Sequence, residues 1–303
     1  MYTTNSLATD IAAQHLCDCC VDAICHDVEK RMKGAVDSPH DALFEALFKA
    51  TDMYEKEFIV MINAHWERER KIIIANLRKL KKAYIVSKDP DDIIDQILPP
   101  EGGMAGELRE EVTQIIVRIL AEMGQRELER LALEIEFDIA NPEVQKWLKE
   151  HVFKFAKKIE AESVDQLRKA LLDGLDAGEG IPKITNRINE IFGDWSKARA
   201  EMVARTEALR ASNRGAVEAY KQAGITKKVW ITHHGARTCD WCTAMDGTIV
   251  GVEEDYWQTG DEFIIQVEVD GEMKDRTMKF TYENVQHPPL HVLCRCAIGA
   301  EVE

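Results

Sequence analysis

The first part of the chain places apolar residues at the spacing of an α-helix. Between residues 5 and 86 they recur every three or four positions, for example at Leu43, Leu47 and Phe48. Ser38-Pro39 offers an N-cap followed by a proline in the first helical turn, so a helix is predicted to start there. Residues 98–103, Leu-Pro-Pro-Glu-Gly-Gly, have the composition of a loop or hinge.

A second helical stretch follows that loop. Residues 105–137 present an apolar stripe opposite Arg and Glu, which predicts one long amphipathic helix. Asn141-Pro142 predicts the start of the next helix, and the glycines from Gly174 to Gly180 predict its end. Residues 194–223 show helical spacing once more.

The pattern changes after Gly224. Residues 228–233 favour a strand, and residues 263–269 and 273–282 flank the turn signal Asp270-Gly271, which predicts a β-hairpin. The predicted fold class is therefore α+β: a mostly helical N-terminal region with long amphipathic helices, followed by a small α+β C-terminal module with a β-hairpin and Cys/His knuckles. The predicted domains are 1–103 (N-terminal helical region), 104–193 (helical middle region) and 194–303 (C-terminal domain).

Length and charge narrow the function classes. With 303 residues, 45% of them hydrophobic, the chain can bury one large or two medium cores. The N-terminus lacks the pattern of a signal peptide and no window reaches the roughly eighteen apolar residues of a membrane span, so we expect a soluble, intracellularly made protein with no membrane contact. The net charge of −15 opposes DNA binding by the whole surface.

The cysteines carry the strongest chemical signal. Four of the eight lie near the end of the chain, in Cys239-x-x-Cys242 and His291-x-x-Cys294-x-Cys296. In a reducing compartment such paired spacings favour zinc, which takes four ligands in a tetrahedron. The preferred set is Cys239, Cys242, Cys294 and His291, with Cys296 able to replace one of them. Buried free thiols and redox chemistry are the alternatives.

The other four cysteines form an N-terminal group. They are Cys17, Cys19, Cys20 and Cys25, and His15 and His26 lie beside them. Helical spacing puts Cys17 and Cys20 on one flank and His15, Cys19 and His26 on the opposite one. This arrangement favours helix packing or a protein contact over a second metal site.

Around the C-terminal cluster the chain resembles a known family. Residues 199–250, closed by the segment from His287 to Cys296, resemble the phage Mu F-like head-morphogenesis proteins, also called minor head or minor capsid proteins. The matching positions are Ala204-Arg205-Thr206-Glu207, Asn213, Gly215, Trp230, Arg237-Thr238-Cys239, Cys242, Asp246-Gly247, Pro289, His291 and Cys294-Arg295-Cys296. With a helical lead-in at about 141–192 the resemblance covers about half of the chain. One departure is Gly235-Ala236, where relatives commonly have an aspartate.

The resemblance implies a function and partners. It implies a minor virion protein of a tailed phage that acts in head assembly, is made in the host cytoplasm, and lies at the capsid interior or portal vertex. The implied partners are the portal protein and, further, the major capsid or scaffolding protein. Many relatives lack the first cysteine pair, so the resemblance implies that the metal stabilises the module and is not an obligatory catalyst.

Two other function classes remain open at this point. A thiol-dependent enzyme would use Cys239 with His233-His234, yet the chain has no phosphate-binding loop, nucleophile elbow or metalloprotease motif. A zinc-ribbon nucleic-acid binder is opposed by residues 227–303, where seven bases face fourteen acids, a net charge of −7. A basic patch elsewhere remains a candidate for packaged DNA or an acidic partner. Its members are Arg68, Arg70, Lys71, Arg78, Lys79, Lys81 and Lys82.

Overall fold

A computed structural model describes residues 39–80, 89–100, 103–232, 238–269, 271–281 and 283–301, with side chains from residue 49 onward. The N-terminal cysteine group and His233-His234 lie outside the described residues, so the predictions made for them stay predictions. All five candidate ligands of the C-terminal cluster are described. No helix among the described residues is both long and apolar enough to cross a membrane.

Long helices are followed by a small antiparallel module, which confirms the predicted fold class. The helices are α1 (Pro39–Lys79), α2 (Pro90–Ile97), α3 (Ala105–Arg130), α4 (Pro142–Asp176), α5 (Ile181–Asp194), α6 (Ala200–Gln222) and α7 (Asp240–Met245), and a π-helical turn (Trp195–Arg199) joins α5 to α6. The strands are β1 (Lys227–Ile231), β2 (Ile249–Gly251), β3 (Glu262–Val269), β4 (Glu272–Lys279) and β5 (Ala297–Glu301).

The described residues divide into two compact units. One consists of the described residues up to Tyr54, of Arg118–Ile139 and of Arg205–Glu303, and the other of Glu55–Val117 and Ala140–Ala204. The Cys/His module and the helical segments that support it belong to the first unit. The three-part division at residues 103 and 193 is untested and stays a prediction.

Helix α4 starts as its sequence predicts. The Asn141 side chain accepts a hydrogen bond from the Glu143 N–H at 2.9 Å, and Pro142 occupies the first turn, where no backbone donor is needed. The helix ends in a turn in which Gly178 has a φ of +65°. A proline at the start and a glycine just past the end are the usual limits of a helix.

Helix α3 is shorter than predicted, because it ends at Arg130 and not near residue 137. The Leu133 N–H bonds to the Leu128 carbonyl at 3.0 Å and the Ala132 N–H to the Glu129 carbonyl at 2.9 Å, which together form a Schellman motif. Ala132 takes the left-handed position with a φ of +55°. Glycine or asparagine usually marks this position, so the sequence offered no stop signal here.

The strands form two small antiparallel sheets. The first has the order β2-β1-β5, with Trp230 of β1 opposite Ile298 of β5. The second is the β3–β4 hairpin, in register from Glu262 and Lys279 to Val269 and Glu272. The predicted hairpin is confirmed, with Gly271 at a φ of +81° in its turn.

Helices α3 and α6 approach each other at a glycine within the first unit. A Cβ atom on Gly215 would lie 2.9 Å from the Leu120 carbonyl oxygen and 3.1 Å from the Gly124 nitrogen, both backbone atoms of α3. A turn further along α6, the buried Tyr220 hydroxyl donates to Glu127 at 2.7 Å. Only a residue without a side chain permits this helix crossing.

Gly215→Ala should therefore destabilise the protein by about 1–3 kcal/mol, because the new methyl group displaces the backbone of α3. Urea unfolding followed by circular dichroism measures the change. The matched control is Gly193→Ala, since a Cβ on this helical glycine meets nothing within 4 Å. The free energy of unfolding of that control should rise by about 0.5–1 kcal/mol, because alanine has a higher helix propensity than glycine. An unchanged midpoint for Gly215→Ala would contradict the close helix crossing.

Candidate metal centre

The five predicted donors converge in one buried cluster of the first unit. The ligand atoms of Cys239, Cys242 and His291 all lie within 4.8 Å of one another, and so do those of Cys242, Cys294 and Cys296. Cys242 belongs to both groups, and its sulfur is 3.8 Å from that of Cys294. No side chain of the five is more than 9% exposed.

Helix α7 holds the first pair of cysteines. Cys239 is the N-cap of this helix, and its sulfur accepts the N–H of Cys242 at 3.5 Å. The Thr243 N–H closes the first turn on the Cys239 carbonyl at 2.9 Å. Because the two cysteines flank one tight turn, both sulfurs face the same side of it.

The second group of donors lies on a turn. The Cys294 N–H bonds to the His291 carbonyl at 3.2 Å, and Leu293 between them has a φ of +59°. An extended segment would have pointed His291 away from Cys294, and this possibility left the ligand set open in the sequence. The turn directs both side chains into the cluster, and β5 begins only at Ala297.

His291 presents an unprotonated nitrogen to the sulfur atoms. Its Nδ1 lies 2.7 Å from the Val292 carbonyl oxygen, which can only accept, so Nδ1 carries the proton. Nε2 lies 3.2 Å from the sulfurs of both Cys239 and Cys242. Histidines that bind metals are typically held in this way, with the second ring nitrogen donating to a carbonyl.

The thiols differ in their electrostatic environment. The hydrogen bond from Cys242, together with His291, lowers the pKa of Cys239 to about 5, although burial acts in the opposite direction. Burial raises the pKa of Cys296 well above its ordinary value. Several buried sulfurs at such distances repel one another as thiolates, and a divalent cation between them removes that cost.

Helix α6 holds the terminal segment in place. The Thr206 hydroxyl accepts the Leu293 N–H at 3.3 Å. The buried Asn213 accepts the Ile298 N–H at 3.0 Å and donates to the Cys296 carbonyl at 3.3 Å. These two residues of α6 therefore position the backbone on both sides of the last two cysteines.

A second turn connects β1 to the cluster. The Asp246 carboxylate accepts the Thr232 N–H at 2.8 Å, and Gly247, with a φ of +73°, donates its N–H to the Trp230 carbonyl at 2.9 Å. The Asp-Gly pair thus joins the end of α7 to the end of β1. Pattern analysis alone did not single out Thr232, and a lone threonine at a strand end carries no signal that would have identified it.

An apolar shell surrounds the sulfur atoms. The base of the hairpin closes one side, where the Arg276 guanidinium lies 4.4 Å from the Trp241 ring centre. The shell consists of Trp230, Trp241, Met245, Ile265, Phe280, Val285 and Leu290. Such surroundings exclude water and strengthen every electrostatic interaction within the cluster.

A buried lysine in the same module was also missed. Lys228 is 0% exposed, and its ammonium donates to the carbonyls of Val252 and Glu254 at 2.9 and 2.6 Å. Burial lowers its pKa to about 8. In the sequence it is one of two lysines at a strand start, a position that is usually exposed. Its role here is to satisfy two carbonyls of the chain that follows β2.

The predicted basic patch is neutralised in part within the second unit. Arg68 donates to both carboxylate oxygens of Glu111 at 2.7 and 2.8 Å. Arg70 pairs with Glu67 at 2.7 Å, and Lys71 lies 3.5 Å from the same carboxylate. Lys81 and Lys82 lie outside the described residues. Three of the seven bases therefore have acidic partners, which reduces the charge that this helix offers to phosphate.

Replacing Asn213 should loosen the terminal segment. Asn213→Asp keeps the shape of the side chain and the hydrogen bond from the Ile298 N–H, but it removes the donor to the Cys296 carbonyl. We therefore expect the free energy of unfolding to fall by about 2 kcal/mol or more. Urea unfolding and amide exchange at Ile298 measure the effect. The control Asn186→Asp, at an exposed asparagine of α5, should cost less than about 1 kcal/mol. Equal losses in the two variants would contradict the role given to Asn213.

Comparisons with known proteins agree with the sequence resemblance. The protein-family model described as "Phage Mu protein F like protein" matches residues 165–299. The chain is also 23% identical over 206 residues to the uncharacterized protein YqbB of Bacillus subtilis (strain 168), a match that covers 63% of this chain and 67% of that protein. No solved structure matches the chain. The matched range contains α6, strands β1 to β4 and all five donors of the cluster, and it ends within β5.

Proposed function

We propose that the chain is a minor head protein of a tailed phage that acts in head assembly at the portal vertex, because residues 165–299 match the phage Mu F-like family. The family is one of structural head proteins, which supports a place in the virion. The finer assignments, namely the portal protein as partner and the capsid interior or portal vertex as location, are part of the proposal.

The observation that carries the proposal is that the family match contains the whole Cys/His cluster together with residues that hold it in place. The match runs from within α4 to β5, and the motif residues Thr206, Asn213 and Asp246 all hold backbone of the module in place. Side chains that hold the backbone of a module in place are typical of a structural protein. The printed contacts of these residues are with the chain itself.

A thiol-dependent enzyme is less well supported. A nucleophilic cysteine must be reachable by its substrate, whereas Cys239 is 6% exposed and His291 is 9% exposed. Both side chains are also occupied by the cluster itself. Nucleic-acid binding by the module is opposed by its net charge of −7.

The module is proposed to contain a structural zinc ion. Thiolate and imidazole donors in a closed, buried arrangement favour zinc over magnesium or calcium, which prefer oxygen ligands. The ion would join α7 to the segment before β5, two parts of the chain that lie 52 positions apart. A cross-link of this length stiffens a module whose own sheets are small.

Association with the head is tested by co-expressing the chain with the portal protein and, separately, the major capsid protein of the same phage. We expect the chain to co-purify with the portal through size-exclusion chromatography at 0.3 M salt. A chain that elutes alone in both mixtures, or that instead binds duplex DNA with steep salt dependence, would contradict the proposal. Arg68→Ala is a control, because its ion pair has no part in the module and portal binding should not change.

Metal binding is tested on the purified full-length chain. We expect about one zinc per chain by elemental analysis, and chelation should lower the unfolding midpoint. A site held at a thousandfold excess over its Kd contributes about 4 kcal/mol, which is lost when the metal is removed. A metal-free chain whose unfolding ignores both added zinc and chelator would contradict the structural metal.

A further inference from the structure

The first half of α4, in the second unit, has a buried face and an exposed face. The buried side chains recur at helical spacing and are Val144, Leu148, Val152, Phe155, Ala156 and Ile159. On the opposite side the exposed residues Lys146, Lys149, Phe153 and Lys157 lie within about 80° of one another around the helix axis. Together with the exposed Lys154 at their edge, these residues form what we call the lysine face.

The lysine face carries an excess of positive charge. Residues 146–157 contain four lysines and one acid, Glu150, which gives a net charge of +3 in a chain whose total is −15. None of these four lysines forms an ion pair within the part of the chain that the structure describes. Lys158, on the flank of α4, does reach an acid, since it lies 4.0 Å from Glu162. The unpaired charges of the lysine face therefore attract a negatively charged partner.

Phe153 adds an apolar component to this surface. It is 54% exposed, on the side of the helix that faces away from the buried residues. Phenylalanine has a lower helix propensity than lysine or alanine, and its exposed ring leaves apolar area in water. Neither helix formation nor solubility therefore accounts for the ring. An apolar centre within a charged rim is the usual composition of a surface that binds a protein.

The choice between an acidic protein and nucleic acid follows from two physical arguments. Phosphate groups have no apolar surface that could cover Phe153. A duplex is also a long polyanion that extends beyond a face about 17 Å long, so it meets the rest of a chain with a net charge of −15. A compact acidic patch on a protein avoids most of this repulsion, because charges more than about 8 Å apart are screened at physiological salt.

We propose that the lysine face of α4 is a docking surface for a protein that presents an acidic patch around an apolar side chain. This assignment rests on the proposed function, because the partner is taken to be a protein of the phage head. The face lies before residues 165–299, so the family match does not account for its charges. The lysines accelerate and orient the encounter, and the partner's apolar side chain covers Phe153 once the complex has formed.

The test measures the affinity of the full-length chain for the purified portal protein and, separately, the major capsid protein of the same phage, at about 0.15 M salt. We expect the double variant Lys149→Glu/Lys157→Glu to bind its partner at least about 10-fold more weakly and with less dependence on salt, because attraction becomes repulsion. Phe153→Ser should weaken binding about 10-fold as well, because the apolar contact is lost.

The matched control is Lys169→Glu/Lys183→Glu, which makes the same change in charge at exposed lysines of α4 and α5 outside the lysine face. The control should bind as the wild type does. All variants change exposed side chains, so circular dichroism and the urea midpoint should stay close to those of the wild type.

Equal affinities of the wild type, the double variant and Phe153→Ser would overturn the docking surface and leave the proposed function in place. A wild type that binds neither head protein would instead overturn the proposed function, and the assignment with it. A loss confined to duplex DNA binding, or to self-association in analytical ultracentrifugation, would overturn the choice of an acidic protein partner.

Discussion

Four sulfurs and an imidazole share one buried cluster, and the rest of the C-terminal module is arranged to meet that constraint. The donors come from α7 and from the turn before β5, 52 positions apart in the chain. No local interaction brings such segments together, so the fold must do it. The cost of burying polar sulfur is offset only when a cation or hydrogen bonds satisfy each donor.

The surrounding structure fixes the two segments separately. Thr206 and Asn213 of α6 hold the terminal segment, and Asp246 with Gly247 holds the end of α7 against β1. Helix α6 is itself seated on α3 at Gly215. The position of the donor atoms therefore depends on the terminal segment, which depends on α6, which in turn depends on its packing against α3. This explains why motif residues with no reactive group are spread along α6.

Part of this arrangement could be predicted from the sequence. Apolar spacing, Asn141-Pro142 and the Asp270-Gly271 turn signal predicted helices and a hairpin that the structure contains, and the C-x2-C and H-x2-C-x-C spacings predicted the five donors that converge. The end of α3 was predicted seven residues too late, because Ala132 takes a left-handed conformation that alanine does not signal. The turn at Leu293 was missed for the same reason. Thr232 and Lys228 act through long-range contacts, which local pattern cannot reveal.

The central claim is tested most directly by X-ray absorption at the zinc edge of the purified chain, because that measurement counts the atoms bound to the metal. The account predicts four ligand atoms drawn from the five donors, with sulfur at about 2.3 Å and nitrogen at about 2.0 Å from the metal. Oxygen ligands, or no bound zinc, would contradict the account of the module as a metal-stiffened scaffold.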